Sequence, residues 1–406
     1  MTKIIEILAQ KINANSQKID DFFSQKFQKN PPLFYNSVDL RHNQIKIAPV
    51  DTNCFPAGFN NLSKISKERA QIIANDFLVK NFSDAKKILI IPENHTRNFR
   101  YLENVHNLQE ILAQKREVKI GSLITEITQK TSIDLENKGS IELNPLVKNG
   151  EKISTIDGFE PDLIILNNDL TEGVPQILQN TKTPIAPSTN FGWYRRKKSQ
   201  HFTIYNQLAL ELAQILEIDA WLISSMHDSV ENVNFKNPQS LEQLANSVEN
   251  LLQKLRQKYR EHNISDEPYC YIKAESGTYG IAVWPVSSGE EVLQINKKER
   301  NKMAVIKGAV QNTCVIIQEG IATFDSIDGK IAEPMIYLIN AQVAANLFRA
   351  NENRDRKISL NAAGASFFDL ENLSENQLNL GGNKNEVVAV YSIIARLAAL
   401  ASSLEN

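Results

Sequence analysis

Residues 86–92, Lys-Lys-Ile-Leu-Ile-Ile-Pro, form a short unbroken apolar run. Such a run is what a strand needs when neighbours in a parallel sheet bury both of its faces. The polar loop Glu-Asn-His-Thr-Arg-Asn (93–98) follows, then a helix-spaced stretch over 101–115, then a second strand candidate at 117–121. Strand, loop, helix and strand make a βαβ unit, which commits this part of the chain to helices packed on a parallel sheet. Residues 162–170 repeat the device, an apolar strand ending in Asn-Asn-Asp-Leu. Open α/β sheets bind ligands outside the carboxyl ends of their strands. A site is therefore expected around 93–98 and 167–171.

Apolar spacing predicts further helices over 2–29, with Ile4, Ile5, Leu8 and Ile12 on one face, and over 66–80, 203–218, 239–262 and 385–404. From 269 onward the texture changes to strands at 269–274, 280–286, 313–321 and 332–340. A mixed α/β half is followed by a strand-rich half, with the boundary between about 195 and 268. A chain of 406 residues can hold two or three packed domains. Its net charge of -2 provides no basic field for nucleic acid or an anionic membrane. No apolar run approaches the roughly 20 residues of a membrane span. The charged, amphipathic N-terminus reads as a helix and not as a signal peptide. Cys54, Cys270 and Cys314 lie far apart, and the six histidines show no metal-ligand spacing. A cytoplasmic enzyme without disulfides or zinc is the expectation. His95 has no Ser or Cys partner in a nucleophile elbow, so hydrolase chemistry finds no support.

Five segments could carry chemistry. In 271–283 a strand bearing Lys273 runs into Glu275-Ser276-Gly277-Thr278-Tyr279-Gly280. Glycines let backbone N–H groups approach phosphate closely, and a lysine meets it as a point charge. The order is not that of a P-loop, and a plain β-hairpin with an exposed lysine fits as well. In 347–364, Arg349 precedes a polar run and Asn361 precedes a glycine turn; a phosphate and metal site or a charged surface loop would each look like this. Gln318 and Glu319 end an apolar strand, where they could touch a base or ribose or simply face solvent. Residues 37–61 hold Asp39, Arg41, Asp51 and Asn53 among Pro and Gly. They offer partners for an amino acid's ammonium and carboxylate, or Asx turns for their own backbone. Residues 190–202 contain Arg195-Arg196-Lys197-Lys198 beside aromatics. A local anion site suits them better than a nucleic-acid patch, with the inner lysine pair read as a solvated turn.

Taken together, SVDLR, APVDTNCFPAGFNN, IPENHTRN, NNDLTEG, GWYRRKKSQHF, KAESGTYG, QEGI, AEPMIYLI and LFRANENRDRKISLNAAG resemble the glutamate–cysteine ligase family of some proteobacteria, from about residue 35 to the C-terminus. The C-terminal half is more distantly similar to glutathione synthetase and other ATP-grasp ligases. The resemblance implies an ATP-grasp-like α/β fold: an N-terminal βαβ (pre-ATP-grasp) domain over 1–202, then an α+β ATP-binding region over 203–406 with a lid at about 265–310. It implies L-glutamate, L-cysteine and ATP as substrates, Mg²⁺ as cofactor, and γ-glutamylcysteine as product through an acyl phosphate. It leaves a homo-oligomer open.

The resemblance also implies roles. Lys273, Ser276, Gly277, Thr278 and Gly280 would hold ATP phosphates, with Gln318 and Glu319 by adenine or ribose. Arg349 would stabilise the transferring phosphoryl group. Glu333 and Asn361 would help hold Mg²⁺, with Glu352 and Asp355 as further acidic candidates; the second ATP lysine of the ATP-grasp pattern has no match. Asp39, Arg41, Asp51, Asn53, Glu93, His95, Arg97, Asn167 and Arg195 would line amino-acid pockets. The alternatives are an ATP-grasp ligase for another acid and amine, glutathione synthetase included, and a non-catalytic ATP-binding regulator. A periplasmic two-lobed binding protein would need a signal peptide.

Overall fold

The computed structural model describes residues 3–136, 138–277, 280, 282–305 and 311–405. Two helices, α1 (Ile4–Ala14) and α2 (Ser16–Lys29), stand where one was expected. Asn15 divides them by turning its side-chain amide back onto the Lys11 carbonyl at 3.0 Å. Strands β1 (Tyr35–His42) and β2 (Ile47–Asn53) follow, then α3 (Lys64–Asn81), β3 (Lys87–Pro92), α4 (Phe99–Leu112) and β4 (Glu117–Ser122). Next come β5 (Thr131–Asp134), β6 (Ser140–Asn149), β7 (Lys152–Thr155), β8 (Leu163–Asn167) and β9 (Ile185–Ala186). The second half contains α5 (Lys198–Leu216), β10 (His227–Val230), α6 (Pro238–Glu261), β11 (Cys270–Ala274), β12 (Val283–Val286), α7 (Gly289–Leu293) and α8 (Lys297–Met303). It closes with β13 (Val315–Glu319), β14 (Ser326–Ile327), β15 (Lys330–Ile339), β16 (Gln342–Ala350), β17 (Ser366–Asp369), β18 (Leu378–Asn379) and α9 (Lys384–Ser403).

The βαβ expectation is met: β3 pairs in parallel with β4 and with β8, in the order β5-β6-β4-β3-β8-β9. A second sheet, β10-β13-β11-β12, is antiparallel and backed by α6 and α7. The third runs β17-β16-β15-β1-β2, also antiparallel. It joins residues 35–53 to 330–369, so a division at 202 does not fall between sheets. The polar segment 37–53, read from sequence as loop chemistry, is a strand pair inside this central sheet.

Side chains alternate across a strand. On the central sheet, Val38, Leu40, Ile336, Leu338 and Phe348 face a core built with α1, α2, α5 and α9. Tyr35, Met335, Tyr337, Ile339 and Leu347 face the other way, against α3, α4 and the parallel sheet. That second face opens beyond α4 into a cleft. The sequence reading finds no membrane-length apolar run, yet α9 is long and apolar enough by length and composition, with mean hydropathy 1.5; 61% of that window is buried in the fold. It packs on α1, α5 and the central sheet, so its apolarity is accounted for by core packing.

Candidate active site

The cleft is paved by the odd-numbered residues of the central sheet. Asp39 stands opposite Asp51, and Glu333 opposite Arg349. Arg41 donates from Nε and Nη2 to Glu333 Oε2 at 2.9 and 2.7 Å. Arg349 Nη1 donates to Glu333 Oε1 at 2.7 Å and to Asp39 Oδ2 at 3.2 Å. Burial works against an ionised Glu333, but the two guanidinium groups outweigh it and hold the carboxyl below its usual range. Asp39 is pushed the other way: burial and the nearby Glu333 and Asp51 raise it against the pull of Arg349. Arg41 also donates to the Tyr271 hydroxyl at 2.7 Å and the Ile358 carbonyl at 2.8 Å, so its donors are spent on the protein.

Two lysines converge on the same wall. Lys273, on β11, donates to the Val50 carbonyl at 3.0 Å and to the Gln318 amide oxygen Oε1 at 2.6 Å. Burial lowers its pKa to about 7; Asp51 opposes this, while Lys198 and Arg41 add to it. Lys198, the first residue of α5, pairs with Asp51 at 2.6 Å. The lysine outweighs burial and keeps Asp51 below its usual range. The space above these residues divides into two compartments. The smaller, about 600 Å³ with its open mouth included, is bordered by Lys198, Lys273, Gly277 and Glu333. The larger, about 1100 Å³ on the same measure, is bordered by Asn53, Asn60, Asn61, Arg100 and Tyr337. Asp39, Asp51, Gly280, Arg349 and Asn361 border both.

The chain matches the family model described as "Glutamate-cysteine ligase" over residues 9–406. It belongs to this family. Among solved structures it is similar to a protein from Methylobacillus flagellatus KT provisionally named a gamma-glutamylcysteine synthetase, with 35% identity and a TM-score of 0.91 over 100% of this chain and 97% of that one. Looser matches are a glutathione synthetase-like effector from Globodera pallida (7% identity, TM-score 0.41, 90% of this chain and 84% of that one) and D-alanyl-alanine synthetase A from Vibrio cholerae (11%, 0.34, 76% and 81%). Neither is close enough to bear on the site. No curated protein sequence matches the chain.

The ligase brings together segments that lie far apart in sequence. Gly280, at φ +70, packs where an added Cβ would lie 3.3 Å from the Asn361 carbonyl, so the glycine loop and the Asn361 turn meet. Ser276 donates to the Arg196 carbonyl at 3.1 Å; Thr278 lies outside the described residues. Gln318 is fully buried behind Lys273, its amide donating to Ser225 Oγ at 2.9 Å. Asp39, Asp51, Asn53 and Arg41 border the compartments.

Other residues sit elsewhere. Glu319 is fully buried and committed to Lys46 at 2.7 Å, to Trp221 Nε1 and to the Met226 amide; the strand alternation turns it away from Gln318's surroundings and off both compartment walls. Asn167 is also buried, donating to the Pro56 carbonyl at 2.8 Å and accepting from Tyr101 and Asn104, which ties β8 to α4. Glu93 Oε1 accepts the Asp169 amide at 2.8 Å. His95 packs edge-on to Tyr101, and Arg97 is exposed. Arg195 is exposed and donates to Asn190. None of these last five borders either compartment.

Within the basic run the buried members are Arg196 and Lys198, not Arg195. The solvated-turn reading of the inner pair holds for Lys197, which is exposed, and fails for Lys198, which is 6% exposed. Arg196 pairs with Glu405 at 2.6 Å and lies over the Trp193 ring, whose centroid is 4.2 Å from Lys198 Nζ. The 51-to-198 pairing has no local sequence signal. A divalent cation carried with phosphates prefers hard oxygen ligands. Asp39, Asp51 and Asn361 offer them on the shared wall, whereas both Glu333 oxygens are taken by guanidinium groups. Among the described residues no group of three or more His, Cys, Asp or Glu forms a ready-made metal site.

Proposed function

We propose that this cleft joins L-glutamate to L-cysteine with ATP and Mg²⁺, making γ-glutamylcysteine, ADP and phosphate in the cytosol. A carboxylate is a poor electrophile because its charge repels an amine. Phosphorylating the glutamate side-chain carboxylate gives an acyl phosphate; the cysteine amine attacks its carbonyl carbon, and phosphate leaves with the acyl C–O bond pair. Such catalysis is positioning and charge neutralisation, so no side-chain nucleophile is required.

The observation that carries the reading is the convergence of Lys198, Lys273 and Arg349 on one wall shared with carboxylates. Lys273, Lys198 and the backbone around Gly277 and Gly280 would take the nucleotide phosphates. Arg349, standing between the compartments, would stabilise the phosphoryl group in transit. Its Nε is buried without a partner among the described residues, and a donor of that kind is costly until something accepts from it. Mg²⁺, when bound at Asp39, Asp51 and Asn361, would neutralise phosphate charge.

The test is ADP release with Mg²⁺, ATP and L-glutamate, with and without L-cysteine, followed by mass measurement of the product. Release that needs both amino acids and yields γ-glutamylcysteine is the expected result. Release only with another acid and amine would reassign the substrates; tight ATP binding without release under any pair would mark a regulator.

A further inference from the structure

The larger compartment has two arginines on its walls, and they differ in one respect. Arg349, on the shared wall, is already paired with Glu333 and Asp39. Arg100 borders the larger compartment alone and makes no ion pair among the described residues. The cleft's other guanidinium, Arg41, is held by Glu333, and nearby Arg196 by Glu405. Arg100, exposed at the mouth of the cleft, is thus the arginine on these walls that no protein carboxylate pairs with among the described residues. It is held from the backbone, because α4 starts at Phe99 and its cap, the Asn98 side chain, accepts the Tyr101 amide at 3.2 Å. Asn60 and Asn61 on the same walls supply neutral amide donors.

We infer that Arg100 binds the α-carboxylate of L-glutamate, whose γ-carboxylate points to Arg349 on the shared wall. This rests on the ligase reading above. Glutamate carries two carboxylates at opposite ends of its chain, and the larger compartment carries two arginines, one at the shared wall and one off it. The γ-carboxylate must reach the phosphate site, so it belongs at Arg349. The α-carboxylate, three carbons farther on, then belongs away from that wall. Cysteine's amine must also reach the shared wall, and its carboxylate is only one carbon from that amine, so cysteine has no group suited to the far position.

The experiment deletes the contact from each side in turn. Arg100→Ala and Arg100→Lys are assayed with L-glutamate and with 4-aminobutanoate, which is glutamate without its α-carboxylate, as substrate and as competitor. Cysteamine, which is cysteine without its carboxylate, replaces cysteine in a parallel series. The expected result is a roughly 10- to 100-fold rise in KM for glutamate in Arg100→Ala, the scale of a charge-assisted contact. Arg100→Lys should recover part of it, and KM for ATP and cysteine and the handling of 4-aminobutanoate should not move. An equal rise in KM for ATP and cysteine, or an unchanged KM for glutamate, overturns the assignment. So does a defect that vanishes with cysteamine, which would give Arg100 to cysteine. Absence of γ-glutamylcysteine synthesis by the unsubstituted protein would instead be a failure of the ligase reading, visible before any variant is made.

Discussion

Under the cleft, the two faces of the central sheet are built from the same strands and have opposite chemistry. One presents Val38, Leu40, Ile336, Leu338 and Phe348 to helices α1, α2, α5 and α9. The other presents Asp39, Arg41, Asp51, Glu333 and Arg349 to the cleft. Moving one residue along a strand moves a side chain from one regime to the other. The first face contributes stability through burial of apolar area. The second holds ions out of water, where each pair does little better than offset its desolvation and is retained for what it can bind. Under the cleft the labour divides by period two, with stability and chemistry on opposite sides of the sheet; farther along, the cleft-side face returns to core with Tyr35, Tyr337 and Ile339.

The cleft-side chemistry depends most directly on Lys273. Lys273→Ala should abolish measurable ADP release while leaving circular dichroism and the melting transition close to those of the parent. A variant with full turnover would remove the lysine from the chemistry. Next is the opposite face: Phe348→Ala should cost about 3–5 kcal/mol of unfolding free energy, as large-to-small core changes do, with KM values of the folded fraction unchanged. A fall in activity without a fall in stability would show that the faces are not independent.

Glu405 tests a third, intermediate place, where a carboxylate behind the cleft holds Arg196 and His201. Burial opposes its ionisation, but Arg196 and His201 bring the pKa down to about 2. A depressed carboxylate contributes stability above its unfolded pKa, about 4.3, and loses it as pH falls toward 2. Glu405→Gln should therefore be less stable than the parent by about 3 kcal/mol at neutral pH, with the gap closing in denaturant titrations between pH 4 and 2. A gap that persists unchanged to pH 2 would assign the effect to packing.

The smallest effect is a proton. With Lys273 lowered to about 7 by burial, the free protein holds it partly neutral just above that pH, and a bound polyphosphate favours the charged form. ATP binding should then take up a fraction of a proton at pH 8, and affinity should weaken as pH rises through about 7. Calorimetry in buffers of different ionisation enthalpy reads that fraction, and Lys273→Arg should abolish it. The same shift makes the lysine's burial a cost to stability at low pH that is relieved between about 7 and its unfolded value near 10.4.

Much of the framework was legible locally. The apolar runs at Lys87–Pro92 and Leu163–Asn167 are buried parallel strands, and α6 and α9 lie within a residue or two of their anticipated bounds. Strands β1 and β2 were not legible, because one of their faces is functional. Polar residues at every second position look like turn chemistry until a partner strand some 300 residues away gives the alternation a direction. Within the site, Lys273 and Arg349 stood out because glycines or polar turns follow them, whereas Lys198 was hidden in a run of four cations.

The sequence by itself determined the periodicities, the helix caps and the residue types at the glycine turns, because these depend on neighbours a few positions away. It also contained enough of them in order to mark the family. Only the tertiary structure decided which charges are buried: Lys198 meets Asp51 across 147 positions, Arg41 meets Glu333 across 292, and Glu319 meets Lys46 across 273. A charged side chain is written the same way whether it lies in water, is locked in an ion pair, or waits uncompensated in a cleft. The difference lies in which distant strand or helix the fold lays beside it.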